Sequence, residues 1–376
     1  MTALGVDPPR RGPRRSLAGL LASPRFQDWA ARFPLTRPFV RRDGERMFDL
    51  LAGFCHSQAL CAAVELGLLE RLLDGPEGTA ALARACRVPE PRMAVLLRAL
   101  AATGLLRETR AGWRPTRLGA ALSGVPGLAE MISHDRVLYR DLADPVAFFR
   151  GETRTELSQF WPYVFGAGAA RDPDQAARYS RLMSETQGLV AGETLRAVSL
   201  RGVRRLMDVG GGTGAFLERA GERHPQMLLR LVDLPAVAEG ARTRLEAAGM
   251  AERAEIVPTS FRDGPLPPGA DAISLVRVLY DHADETVAAL LARCREALEP
   301  GGLLVVSEPM AGAARPERAA DGYFALYTLA MGTGRVRSAA RIGAMLSEAG
   351  FVDVRHRRTH RPFVTGVVTA RRGAAN

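Results

Sequence analysis

Four glycines within five consecutive positions constrain this chain more than any other feature of it. Residues 206–217 read LMDVGGGTGAFL, with glycine at 210, 211, 212 and 214. The apolar stretch ending at Asp208 has strand character, and AFLERAGERH after the glycines has the three- and four-residue spacing of a helix. Glycine tolerates positive φ and carries no Cβ, so a ligand can lie directly against the backbone here. The helix start beyond the loop offers free N–H groups. Further on, at the end of the next strand-like segment, comes Asp233 followed by Leu234. A carboxylate in that position can accept hydrogen bonds from two ribose hydroxyls.

The segments around the loop repeat its texture. RRLMDVG (204–210), LLRLVDL (228–234), AEIVP (254–258), DAISLVRVLY (271–280), GGLLVVSEP (301–309) and RPFVTGVVTA (361–370) read as strands. Helical stretches such as AVAEGARTRLEAAGM and ADETVAALLARCREAL separate most of them. This alternation predicts an α/β fold, a mostly parallel sheet with helices on both faces. Upstream the pattern is different. FCHSQALCAAVELGLLERLL (54–73), AALARACRV and PRMAVLLRALAATGLL (91–106) read as three helices, with Thr79 as a cap for the second. RETRAGWRPT follows as a hairpin with Gly112 in its turn, which completes a winged-helix pattern. The expected organisation is a basic arm over 1–45, a winged-helix domain over 46–120, a helical linking segment over 121–200 and a nucleotide-binding domain over 201–376.

Two kinds of nucleotide fit the glycine loop. Gly210, Gly212 and Ala215 formally satisfy the dinucleotide signature, which is weak alone. Asp208 would add negative charge beside a pyrophosphate, whereas it suits the ammonium of an amino acid. The loop also follows some 200 residues of helical sequence, unlike many dehydrogenases. S-adenosylmethionine needs a close backbone approach and a ribose-binding acid but no phosphate cradle, and it is the better match.

Charge is distributed unevenly. The formal net charge is +10, of which residues 1–42 carry +7 and residues 355–376 carry +6, leaving the stretch between them at −3. Every basic side chain is Arg; the absence of Lys removes Schiff-base chemistry. The basic ends are solvated tails or contacts to an anionic surface. No run of eighteen apolar residues occurs, so no membrane-spanning helix is expected, and without a signal-like segment the cytoplasm is the expected compartment. Cys55, Cys61, Cys86 and Cys294 form no CxxC pair, so four reduced, mostly buried thiols and no metal site are expected.

Taken together, DVGGGTG, VDLP (232–235), LVRVLYDHADE (275–285), EPGGLLVVSEP (299–309) and SEAGF (347–351) resemble the S-adenosylmethionine-dependent small-molecule O-methyltransferases. That family joins a winged-helix dimerisation domain to a class I methyltransferase fold, and the resemblance runs from about residue 50 to the C-terminus. LYDHADETV, the stretch from SEPMAGAARPERAADGYF to GTGRVRS, and RPFVTGVV resemble its carotenoid branch. There the acceptor is the tertiary hydroxyl of a 1-hydroxycarotenoid on the route to spheroidene. The resemblance implies a homodimer. It also implies cofactor contacts from Asp208, Gly210, Gly211, Gly212 and Gly214 at the methionine end and from Asp233 and Leu234 at the ribose. Thr259, Ser260 and Phe261 would edge the adenine, although the family's Gly-Asp is absent there. Arg277 matches a basic position after strand four. Tyr179, Met183 and Gln187 share a helix face that matches a stretch covering the sulfonium.

Relatives acting on phenols carry His-Asp-Trp, with the His as general base, where this chain has Tyr280-Asp281-His282. Three arrangements are open: His282 takes over as base, Tyr280 orients the hydroxyl, or no base acts before methyl transfer. A tertiary alcohol is far less acidic than a phenol, so in-line alignment with assistance from Tyr280 or His282 is favoured; proximity can supply ~7–11 kcal/mol of barrier lowering. Glu308 matches an acid that supports the base, and a second such acid is replaced by Val336. His56 and His134 are candidates for the acceptor pocket. So are Phe148, Phe149, Phe160, Trp161, Tyr163, Phe165, Phe324, Tyr327 and Met331, whose aromatic and thioether groups suit a long apolar acceptor. Such an acceptor resides in membrane, where the basic arm would find an anionic surface. Two other functions fit parts of the sequence: methylation of a phenol, quinone or polyketide, and regulation by DNA binding. Against the latter, PRMAVLLRALAAT is mostly apolar, whereas DNA-reading helices need several polar or basic side chains, so no nucleic-acid partner is expected.

Overall fold

The computed structural model describes residues 16–160 and 186–374 and divides into two compact units, up to Thr116 and from Arg117 on. The first contains α1 (Leu17–Leu21), α2 (Pro24–Arg32), α3 (Arg37–Glu65), α4 (Leu68–Leu73), α5 (Thr79–Cys86), α6 (Glu90–Ala102), β1 (Leu106–Thr109) and β2 (Gly112–Pro115). Strands β1 and β2 pair antiparallel around Arg110 and Ala111. Gly112 is therefore the first residue of β2, and glycine is required because a Cβ there would collide with the Glu77 backbone. Thr79 does not cap α5, whose N-cap is Gly78. Its hydroxyl instead accepts a hydrogen bond from the Trp113 indole N–H at 3.0 Å, tying helix to wing. Met93, Leu97 and Leu100 of α6 are buried, so the helix is built for packing.

By length and composition alone, helix α3 is apolar enough to cross a membrane, which the absence of an eighteen-residue apolar run had not anticipated. Polar residues interrupt it, yet Ala, Leu, Phe and Cys accumulate with few charges, and an eighteen-residue window reaches a mean hydropathy of 1.3. Only 11% of that window is buried, unlike a core helix, and Met47, Phe48, Leu50, Leu51 and Phe54 are exposed. Cys55, on the same helix, is exposed, Cys86 is half-buried, and Cys61 and Cys294 are buried; all four are free thiols.

The second unit opens with α7 (Arg117–Ser123), α8 (Leu128–Asp141), α9 (Pro145–Phe149) and α10 (Glu156–Phe160). A helix α11 over 186–197 leads into the sheet. The sheet contains β3 (Arg205–Val209), β4 (Leu228–Asp233), β5 (Ala254–Pro258), β6 (Ala270–Val276), β7 (Leu298–Glu308), β8 (Phe351–Arg357) and β9 (Gly366–Arg372). Their order is β5-β4-β3-β6-β7-β9-β8, all parallel except β9, which runs antiparallel to both β7 and β8. Helices α12 (Ala215–Arg223), α13 (Pro235–Ala247), α14 (Asp284–Ala297), α15 (Ala325–Met331) and α16 (Ala339–Glu348) connect the strands. Two large cores result, one around Ile273, Leu291 and Leu346 and the other around Phe216, Leu229 and Leu245. This is the expected α/β class with two differences. The fourth strand stops at Val276, and Leu279–Asp281 form a 3-10 turn. Strand β8 was not anticipated, because FVDVRHR is an edge strand whose charged residues are largely exposed.

Candidate active site

The strand order reverses on either side of β3, and ligands of open parallel sheets bind outside the carboxyl ends of the strands at such a point. A cleft of about 740 Å³, including its open mouth, lies there. Gly210 and Gly212 form its floor with φ of +70° and +60°, a left-handed conformation that favours glycine. The neighbouring glycines act below the surface. A Cβ on Gly211 would strike the Asp208 carboxylate, and Gly214, with φ +76°, begins α12 against Ala241 and Leu245. The two carboxylates of this half behave differently. Asp233 lines the cleft and is held by the backbone, accepting from Gly212 N–H and Leu234 N–H, each at 2.7 Å. Asp208 is fully buried beneath Gly211, takes a 2.5 Å hydrogen bond from the Ser274 hydroxyl, and is not among the cleft-lining residues. Burial pushes it up to about 7.

Leu234, Thr259, Ser260 and Phe261 also line the cleft. His282 joins them, its ring edge-on to Phe261 at 5.3 Å between centroids. An Arg262 guanidinium nitrogen lies 3.1 Å from His282 Nδ1. A guanidinium only donates, so Nδ1 is the acceptor and Nε2 carries the proton. Burial, followed by the Arg262 and Arg337 charges, lowers this imidazole to about 3. His282 thus presents an N–H to its surroundings, and its one basic lone pair is already occupied.

Arg277 connects the cleft to the helical side of the unit. It adopts φ +60°, rare for a side-chain-bearing residue, with its N–H donating to Ser307 O at 2.8 Å. Its guanidinium donates to the Thr186 hydroxyl at 2.7 Å, and its charge acts on the Tyr280 phenol. Tyr280 is buried, and burial raises its phenol above the ordinary range despite Arg277. Next to it, Asp281 lines the cleft with Oδ1 buried and without a hydrogen-bond partner, and burial raises it to about 7.

Two groups hold the turn that carries these residues. Glu308 Oε2 accepts the Tyr280 N–H at 3.1 Å, so it supports that residue's backbone, not its hydroxyl. Its other oxygen is buried without a partner, and burial raises the carboxyl to about 8. Arg337, with only 1% of its side chain exposed, donates to Leu279 O at 2.8 Å and His282 O at 2.7 Å and pairs with Asp284 at 2.7 Å. Sequence reading missed it, although GTGRVRS places it beside the vacant acid position Val336.

A second cluster was also missed. Tyr323, at the end of a π-helix over Arg318–Phe324, donates to Asp135 Oδ1 at 2.6 Å. The Tyr327 hydroxyl lies 2.9 Å from His134 Nε2, and the two tyrosine rings are 6.1 Å apart. Helix α15, which carries Tyr327, packs against the turn that carries Tyr280. Below these polar tips, Leu138, Phe148, Leu157, Tyr327 and Met331 form a small apolar core. Phe149 is exposed and Phe324 half-buried, and His56 is half-buried on α3 in the other unit. Gln187 is buried on α11, which is anchored through Glu193 to Arg361 and through Thr194 to Ser307. Tyr179, Met183, Trp161, Tyr163, Phe165 and the Phe160 side chain lie outside the described residues.

The cleft fits a ligand that combines a ribose with positive charge. Asp233 keeps carboxylate lone pairs for hydroxyls, and the unpartnered Asp281 oxygen suits a cationic group. S-adenosylmethionine has both.

Comparison with known proteins agrees. Residues 139–352 match the O-methyltransferase domain and residues 48–124 the O-methyltransferase dimerisation domain, so a homodimer is the expected assembly. The chain is 55% identical over 369 residues to demethylspheroidene O-methyltransferase of Cereibacter sphaeroides, covering 97% of each chain. It is 47% identical to the enzyme of that name from Rhodobacter capsulatus, covering 98% of this chain and 92% of the relative. Among solved structures, human N-acetylserotonin methyltransferase in complex with S-adenosylmethionine superposes with a TM-score of 0.75 at 26% identity, over 88% of this chain and 98% of that one. Glycine floor, acid pair and matched domains lead to one conclusion: the chain belongs to the O-methyltransferases that take their methyl group from S-adenosylmethionine.

Proposed function

We propose that this enzyme methylates the tertiary hydroxyl of a 1-hydroxycarotenoid, chiefly by holding acceptor and donor in line. The names of the two relatives at 55% and 47% identity support the acceptor class. The observation that carries the mechanism is the absence of an available base at the position of Tyr280. A buried tyrosine whose phenol is raised by that burial stays protonated, and so donates a hydrogen bond more readily than it takes up a proton. His282 is turned toward Phe261 and Arg262, so its part is to edge the cofactor, with Nε2–H as a donor.

When bound, S-adenosylmethionine supplies a methyl group on a sulfonium that any well-placed oxygen lone pair can attack. Gly210 and Gly212 give its backbone approach, Asp233 with Leu234 hold the ribose, and Ser260, Phe261 and His282 flank the base. Asp281 and Arg277 stand toward the amino-acid end, with Gln187 of α11 over it; Asp208, Gly211 and Gly214 shape the loop from beneath. Glu308 and Arg337 fix the turn, and Tyr280 orients the acceptor oxygen. Alignment of this kind is worth about 7–11 kcal/mol when the reacting atoms are held at contact distance. It suits an alcohol too weakly acidic for prior deprotonation.

An apolar acceptor partitions into lipid, and the arm is suited to meet it there. Leu17, Leu20, Trp29 and Phe39 are exposed on a segment whose sequence carries nine Arg between residues 1 and 42, the composition of an interfacial anchor. The reading is tested by offering labelled S-adenosylmethionine with a 1-hydroxycarotenoid and with a phenolic panel in parallel. Label in the carotenoid alone supports it, and label in the phenols alone overturns it. Flotation with anionic vesicles that is unchanged by deleting residues 1–42 would remove the anchor.

A further inference from the structure

Methyl transfer to an alcohol leaves a proton to be disposed of, and neither Tyr280 nor His282 is placed to accept it. The geometry points to Tyr323 as the group that receives the proton of the acceptor hydroxyl, with Asp135 acting through it as the positioning residue and final proton acceptor. This rests on the reading of Tyr280 as the residue beside the acceptor oxygen.

A tyrosine hydroxyl has one proton and two lone pairs. At 2.6 Å the Tyr323 proton is committed to Asp135 Oδ1 in a short charge-assisted bond, so the Tyr323 oxygen faces its remaining surroundings as an acceptor. Tyr280 is its complement, since burial keeps its phenol protonated and so a donor. An alcohol beside this pair can receive from Tyr280 and donate to Tyr323. The segment that presents Tyr323 is a π-helix, a distortion often found at functional sites. It is held by Asp321, which accepts from Gly312 N–H and Glu317 N–H at 2.8 Å each.

The step balances. A lone pair of the acceptor oxygen forms the new O–CH3 bond while the C–S bond breaks, leaving its electron pair on sulfur. The protonated ether so formed passes its proton to the Tyr323 oxygen as the Tyr323 proton moves to Asp135. Asp135 is half-buried, which gives the proton a way to water. Burial raises Asp135 to about 6, and the Tyr323 hydrogen bond opposes this, so the carboxylate is available at neutral pH and lost below about 6. The other titratable groups nearby are Tyr139, Tyr280, Tyr327 and His134, the last lowered by burial to about 4. On α10, packed against α8, Glu156 is paired with Arg140.

The test compares full-length wild type, Asp135→Asn and Tyr323→Phe at saturating cofactor from pH 5 to 9. Asparagine keeps an oxygen to accept from Tyr323 but cannot take up its proton, so orientation survives and proton uptake does not. The expected result is a kcat at least tenfold lower in both variants, unchanged cofactor affinity by calorimetry, and loss in Asp135→Asn of the fall in kcat below pH 6. Infrared titration of the ligand-free protein should show a carboxylic C=O band growing in near pH 6 that Asp135→Asn lacks. Variants within twofold of wild type, a surviving acid limb, or no such band would overturn the inference. Failure of the proposed acceptor is distinct, since wild type would then leave the carotenoid unlabelled.

Discussion

The cleft and the Tyr323–Asp135 cluster, the acceptor side in our proposal, are built by different means. The cleft is made by backbone: its floor is one glycine loop, and its ribose acid is held by main-chain N–H groups only one and twenty-one residues away. The acceptor side is made by side chains far apart in sequence, as when Tyr323 meets Asp135 across 188 positions. The loop leaves little room for added atoms, since a Cβ on Gly210 would strike Val278 and one on Gly211 the Asp208 carboxylate. A side-chain site can change one member and keep the others, as it has where Tyr280 stands in place of the family's His. That asymmetry explains how one fold retains its methyl donor while serving acceptors of different acidity.

The comparison can be broken first at the loop. Gly211→Ala should weaken cofactor binding by more than a hundredfold, since the new methyl meets the Asp208 carboxylate and Leu231; calorimetry showing near-native affinity would mean that the loop adapts. Next in size is Arg337→Ala, which strips a buried cation from two carbonyls and Asp284. Thermal unfolding should show a loss of about 3 kcal/mol, the scale for breaking a buried charged pair, and Arg337→Lys should recover part of both stability and kcat. A smaller effect concerns pH. Asp281, raised to about 7, is largely neutral below that value, and a cationic ligand prefers its ionised form. Cofactor affinity should therefore rise about tenfold from pH 6 to pH 8, with proton release on binding below neutrality; a flat profile would take Asp281 out of the contact. Smallest is His282→Asn, expected to raise the KM for cofactor severalfold and leave kcat nearly unchanged. A collapse of kcat with intact binding would return His282 to proton transfer.

What could be read from sequence follows the same division. The glycine loop, Asp233 and the strand–helix alternation were legible because local chain geometry dictates them. The fate of Thr79 was not: a hydroxyl at a helix start can cap the helix or serve another element, and only the fold brings Trp113 within 3.0 Å of it. Glu308 was visible as an acid ending a strand, but its bond to the Tyr280 backbone depends on how the chain turns after Val276. Asp135 and Tyr323 lack any local signal, and Arg337 has only its place beside Val336. Each acts on a partner more than fifty residues away, and only its burial or its short bonds single it out.

The central claim is that methyl transfer here proceeds by alignment, with no side chain removing the acceptor proton beforehand. Single-turnover methyl transfer to a 1-hydroxycarotenoid by Tyr280→Phe, compared with wild type at saturating cofactor, tests it most directly. The account predicts a rate within about tenfold of wild type, independent of pH between 7 and 9, because an orienting hydrogen bond is lost and no base is. A fall of a thousandfold or more with unchanged cofactor binding would contradict it and make Tyr280 the base.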